Sequence, residues 1–127
     1  MTISTQVPEL QKIIVLQPIR QHLIFAQQRL QDRHVSFQLA ALSYLRICCT
    51  AMQTYQRLGL SGTTAAISSK TPYLTLVDQL IERHPDWWKL CWVNDTGYLI
   101  SGDRRIRELL QPLNTFVEQI LEAPQTF

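Results

Sequence analysis

The sequence predicts an all-α fold, an antiparallel bundle of about five to seven helices with short connections. Three observations carry that expectation. Apolar residues recur at steps of three and four over long stretches of the chain. Four glycines and six prolines leave little punctuation for a series of short strands. A length of 127 residues, with 46% hydrophobic and 17% charged side chains, suits one continuous core and not two. Residues 1–127 therefore read as a single helical-bundle domain.

Residues 1–18 hold Pro8 and Pro18 around the short apolar run Ile13, Ile14, Val15 and Leu16. They read either as a flexible N-terminal arm or as a short first helix. From Ile19 the pattern turns helical through Leu23, Phe25, Ala26 and Leu30, with Gln21, Gln27, Gln28 and Gln31 on the remaining surface. The clearest helix spans 35–58, where Leu39, Leu42, Leu45, Cys49, Met52 and Tyr55 form a broad stripe and Gly59 follows as its stop. On its other side Ser43, Arg46, Thr50, Gln53 and Arg57 make one narrow polar strip.

Ser61 can cap a short helix reaching about Ser68, and Thr71-Pro72 reads as N-cap and first-turn proline of the next. That next helix carries Tyr73, Leu74, Leu76, Val77, Leu80 and Ile81 on its apolar face. Pro85-Asp86 opens a further short helix with Trp87, Trp88, Leu90, Cys91 and Trp92, closed by the turn Asn94-Asp95-Thr96-Gly97. The last helix starts near Ser101 or Asp103 and runs through Ile106, Leu109, Leu110, Leu113, Phe116, Val117, Ile120 and Leu121. Pro112 is expected to kink it or split it in two.

Composition narrows function mainly by exclusion. A net charge of +2 does not mark a nucleic-acid binder by itself. Cys48, Cys49 and Cys91 are odd in number and lack a C-x-x-C spacing, so buried free thiols are expected and a disulfide framework is not. The N-terminal MTISTQVPEL has neither the basic head nor the apolar run of a secretory signal. The most apolar stretch, 37–52, is broken by Gln38, Ser43 and Arg46, so no membrane contact is expected and a cytoplasmic location is.

The search for chemistry yields little. His22, His34 and His84 stand far apart, with no spacing that converges on a metal. His34 beside Asp32 and Arg33 reads as a surface histidine of an interhelical turn. Cys48 and Cys49 lie in an apolar helix without a partnered histidine, which suits inert thiols. Asp78 and Glu82 read as a solvated acidic face, and Gly59 and Gly62 lack the Lys-Ser/Thr of a phosphate loop. No catalytic residue, cofactor or metal is expected, and the protein reads as a non-enzyme.

Two basic features stand out. Arg104, Arg105 and Arg107 crowd the first turn of the last helix, where the macrodipole favours negative charge; a helix N-terminus with guanidinium groups suits phosphate. Arg104 and Arg107 share a face, while Arg105 diverges. The strip with Arg46 and Arg57, and Lys70 in a nearby loop, suits sequence-blind phosphate contact; a solvated polar face is the plainer reading of the same residues. Among the tryptophans, Trp88 and Trp92 are one turn apart and expected in the core, and Trp87 points elsewhere as a candidate protein-interface anchor.

From the central helix onward the chain resembles the small-subunit family of type III-B CRISPR effector complexes. The likeness rests on the ending Arg57-Leu58-Gly59-Leu60, on the small-residue turn 63–70 ending in Ser-Lys, on Tyr73 and Leu76, and on Tyr98-Leu99-Ile100 leading through Leu109, Leu110 and Phe116. It spans residues 40–121 as a spacing pattern. The chain departs from it at Leu110, Pro112 and Leu113, where an aromatic is usual, and at Trp87-Trp88, which suits a divergent type III variant. The resemblance implies a non-catalytic, self-stacking helical subunit in an antiviral ribonucleoprotein, packed against other effector subunits along the crRNA and target RNA. Arg46, Arg57, Lys70, Arg104, Arg105 and Arg107 would then be the RNA-binding residues. The last-helix arginines have a second reading, as partners for a neighbouring subunit's carboxylates. The rival function is a protein–protein adaptor without nucleic-acid contact, using Trp87 and the Gln-rich first helix.

Overall fold

The computed structural model describes residues 3–57 and 73–122. These residues are mostly helical, in the order α1 (Ile3–Gln31), α2 (Phe37–Arg57), α3 (Tyr73–Arg83), a 3₁₀ turn (Trp87–Leu90), β1 (Cys91–Val93), β2 (Leu99–Ser101) and α4 (Arg104–Glu122). Four α-helices are present among the described residues, fewer than the periodicity predicts, and a two-stranded hairpin stands between the last two. The short helix expected at 61–68, its Ser61 and Thr71-Pro72 caps, and Lys70 lie outside the described residues.

Helix α1 takes in residues 3–18, so the alternative of an extended arm gives way to helix. Pro18 lacks the N–H that would reach the carbonyl of Ile14. Both residues lie on the exposed side, Ile14 at 69% exposure, where water can take that carbonyl. The turn to α2 is held by Asp32, whose Oδ1 accepts from the His34 amide at 2.9 Å, and the carbonyl of Ser36 accepts from Ala40 N at 2.9 Å to start α2. His34 is exposed, as a turn histidine should be.

The core draws on every element. Leu23 and Ala26 of α1, Tyr44, Leu45, Cys48 and Met52 of α2, Val77 of α3, Leu99 of β2, and Leu110, Leu113 and Phe116 of α4 are sealed from solvent. Tyr55 meets Phe116 edge-to-face at 5.6 Å between centroids, an arrangement that favours the ring quadrupoles over simple stacking.

Two buried polar groups tie α4 to its neighbours. The Tyr44 hydroxyl donates to Asn114 Oδ1 at 2.7 Å, and Asn114 Nδ2 donates to the Leu99 carbonyl at 2.8 Å, so one side chain joins α2, α4 and β2. The Tyr73 hydroxyl donates to the Leu109 carbonyl. Pro112 does not split α4, which runs unbroken from Arg104 to Glu122. The buried stripe Ile106, Leu110, Leu113, Val117 and Ile120 continues on both sides of the proline and holds the two halves to the same core.

The hairpin replaces the expected Trp-rich helix. Helical geometry lasts one 3₁₀ turn after Pro85-Asp86; Cys91-Trp92-Val93 then pairs with Leu99-Ile100-Ser101 in antiparallel register, Trp92 opposite Ile100. The turn drives this outcome. Asn94 Oδ1 accepts from Thr96 N, Thr96 Oγ1 and Tyr98 N at 3.1, 2.8 and 2.9 Å, and Gly97 takes φ +88°. Such a turn favours two strands, and an aromatic and β-branched run serves them better than a helix. Gly97 is also buried against α1: a Cβ there would lie 2.9 Å from Gln31 Nε2.

The tryptophans consequently reverse their expected places. Trp87 is 3% exposed and belongs to the core, which removes it as an interface anchor, whereas Trp92 stands 51% exposed and Trp88 is half-buried. A helix would have set Trp88 and Trp92 on one face; pleated backbone from Cys91 instead turns Cys91 inward and Trp92 outward. No helix among the described residues is long and apolar enough to cross a membrane.

Candidate functional site

The polar strip of α2 takes the form its spacing predicts. Eleven residues is close to three helical turns, so Arg46 and Arg57 stand within about 20° of one another and about 17 Å apart along the axis. Both are exposed, as is Thr50 between them, with Ser43 and Gln53 half-buried. Arg46 is not wholly free. Its Nη2 lies 4.0 Å from Asp78 Oδ1 of α3, with both side chains more than half exposed, at 59% and 56%. Such a wet, long pair is worth about half a kcal/mol or less and leaves the guanidinium open to a stronger anion. Beside the strip, Arg46 and Thr50 border a groove of about 530 Å³ between α1 and α2, walled by Ile14, Pro18 and Ile47 with His22 at its edge.

The arginines of α4 are not brought together. Asp103 is the N-cap: its Oδ1 accepts from Arg105 N at 3.0 Å and Ile106 N at 3.2 Å. Ser101 steadies it, its Oγ accepting from Asp103 N at 3.1 Å and donating to the Leu90 carbonyl at 2.6 Å. The carboxylate of Asp103 thus fills the place at the helix end where a phosphate was expected, and it also answers the unfavourable stacking of arginine in the first turn. Arg104 Nε turns along the helix to Glu108 Oε1 at 3.1 Å. Arg105 Nη1 lies 3.2 Å from His84 Nε2; a guanidinium can only donate, so the imidazole accepts. Arg107 is exposed on a third bearing, at the edge of a groove with Ile100, Gln111 and Glu118, and among the described residues it forms no ion pair.

Nothing in the described interior resembles a catalytic centre. Cys48, Cys49 and Cys91 are all buried and unpaired as disulfides. Burial pushes the Cys48 thiol well up, with the neighbouring Cys49 adding to it. Cys49 is pushed up to about 12, by burial first and then by the negative charge of Asp78. Burial raises Cys91 to about 11, against an opposing hydrogen bond from Ser101. Burial likewise raises the Tyr44 hydroxyl, with Cys48 and Tyr98 reinforcing it. These are neutral groups, the reverse of activated nucleophiles. No cluster of three or more His, Cys, Asp or Glu suited to a metal occurs among the described residues.

Sequence reasoning missed two cations that matter to the surface. Arg83 ends α3 and shares a groove with His84 and Arg105. Arg20 of α1 donates from Nη1 to the carbonyls of Ile120 and Leu121 at 3.1 and 2.7 Å, closing the end of α4, whose last turn has no basic residue of its own. Arg83 was visible as the basic last turn of an amphipathic helix; Arg20 carries no local signal, since its partners lie at the other end of the chain. The chain matches no known protein-family model, no curated protein and no solved structure.

Proposed function

We propose that the protein is a non-catalytic helical subunit that binds the phosphate backbone of RNA through Arg46 and Arg57, with Arg107 as an auxiliary contact. The observation that carries this reading is the alignment of Arg46 and Arg57 on one exposed face of α2, held by a rod that is otherwise buried along its core side. Cations fixed on a rigid element at such spacing contact phosphates without reading bases. The sequence likeness supplies the assembly: a type III CRISPR effector, where such a subunit would lie along the crRNA and target RNA and leave cleavage to its neighbours. Arg104 and Arg105, engaged by Glu108 and His84, take a smaller part than their number suggests. Lys70 lies outside the described residues and keeps the role the likeness implies.

Fluorescence anisotropy with single-stranded and duplex RNA at low salt tests this. Arg46→Ala with Arg57→Ala should weaken binding and lower the slope of log affinity against log salt by about 1.4 for a single strand. Both positions are exposed, so the melting curve should stay within about 0.5 kcal/mol of the parent. Unchanged affinity and slope would remove the strip from the RNA surface. A second reading, the adaptor without nucleic-acid contact, draws on Trp92 and Leu90, each 51% exposed. It becomes the better account if neither RNA binds.

A further inference from the structure

The end of α3 and the start of α4 enclose a second groove, of about 470 Å³, on the side of α3 away from the α2 strip. Asp78, which meets Arg46, is about 200° around α3 from Leu76 and Leu80, so the two surfaces are separate. The floor of this groove is aliphatic: Leu76, Leu80 and Leu109, each half-buried and each still offering surface to solvent. Its rim is basic. Arg83, His84 and Arg105 are all exposed there, and the one rim carboxylate, Glu108, is engaged by Arg104 at 3.1 Å. Among the described residues no carboxylate forms an ion pair with Arg83 or Arg105. Arg105 spends one donor on His84, and a guanidinium has five.

We infer that this groove docks an acidic amphipathic helix of a partner protein, with aliphatic side chains on the leucines and carboxylates on Arg83 and Arg105. Charge complementarity decides the occupant. Two forked donors without acids call for carboxylate or phosphate. The floor then chooses between them. A sugar–phosphate strand gains nothing from three leucines, whereas an amphipathic helix presents apolar anchors at three- and four-residue spacing beside its charges. A hydrophobic groove between helices is where an amphipathic segment lays its apolar face. The inference does not depend on the main contacts of the RNA reading, Arg46 and Arg57, and shares only Arg105 with it.

The probe is a fluorescein-labelled helical peptide of about fourteen residues, with leucines along one face and glutamates flanking them. Two controls replace its glutamates by lysine or its leucines by glutamine. The acidic peptide should bind the full-length protein saturably, and both controls should bind at least about tenfold more weakly. Arg83→Gln should cut affinity for the acidic peptide by about fivefold while the thermal melt holds, and should leave RNA affinity within about threefold. Absence of saturable binding up to about 1 mM overturns the inference. So does equal binding of the glutamine control, or an Arg83→Gln variant that binds as the parent does. Displacement of the peptide by RNA, with Arg83→Gln losing RNA affinity to the same degree, also overturns it and makes the groove a nucleic-acid surface.

Discussion

Replacing Asn114 with alanine should loosen the joint between α2, α4 and the hairpin more than its half-buried position suggests. The side chain accepts from the Tyr44 hydroxyl at 2.7 Å and donates to the Leu99 carbonyl at 2.8 Å, and both of those residues are 0% exposed. Removal leaves a buried donor and a buried acceptor short of a partner, at about 1–3 kcal/mol for the hydroxyl and about 1 kcal/mol for the carbonyl. Alanine's better helix propensity returns about 0.6 kcal/mol. The net cost is about 2 kcal/mol, or a melting temperature lower by roughly 6–10 °C for a chain of this size. Tyr44→Phe should cost less, about 1 kcal/mol, because the group it strands belongs to a side chain that water can reach. Urea unfolding of the two single variants and the double variant closes a cycle whose coupling should reach about 1 kcal/mol. A coupling near zero, or a loss below about 0.5 kcal/mol for Asn114→Ala, would refute the claim that this amide joins the three elements.

Gly97→Ala should destabilise by about 1–2 kcal/mol, since φ is +88° and an added Cβ meets Gln31 Nε2 at 2.9 Å. Adding Gln31→Ala should recover only a small part of that loss in urea unfolding, because the strain lies in the backbone and the glutamine end can swing away. The buried thiols make a third prediction. Cys91 and Cys49 are raised from 9.0 to about 11 and about 12, so the folded chain keeps protons that the unfolded chain gives up. Their contribution to stability is complete below about pH 9 and is lost as pH rises from 9 towards 11–12. The urea midpoint should therefore fall between pH 7.5 and 10, and Cys91→Ala should flatten part of the fall. At pH 8 a thiol reagent should label none of the 3 cysteines quickly until denaturant is added.

The parts of the fold legible in the sequence are those in which local pattern and tertiary packing agree. The run from Ile106 to Ile120 names the buried face of α4, and Asp103 is the cap that its start called for. The stripe of α2 is right only in part: Leu45, Cys49 and Met52 are buried, but Leu39 stands 59% exposed and Tyr44, outside the stripe, is sealed. The hairpin was hidden because a strand of three residues cannot establish a two-residue period against a neighbouring helical one. Only the Asn94–Gly97 turn announced it, and read as a hairpin turn it would have set Trp87 and Trp92 on their true sides. Pro18 and Pro112 argued for breaks that the helices do not make; at Pro112 a local penalty of about 3 kcal/mol is outweighed by burial on either side. Of the candidate site, the Arg46–Arg57 alignment was fixed by helical arithmetic. The dispersal of Arg104, Arg105 and Arg107 was not, since it depends on His84 and Glu108 reaching them first.

Arg20 has a consequence for how the protein is made. The carbonyls it satisfies are 100 and 101 residues further along, so the first helix leaves the ribosome long before the end it is built to seal. During synthesis α1 can shelter its inner face against α2 and the hairpin turn, and the clasp between first and last helices closes only once α4 has emerged. A nascent chain halted before α4 would therefore carry Leu110 and Phe116's future neighbours bare, a state that chaperones and proteases are well placed to notice.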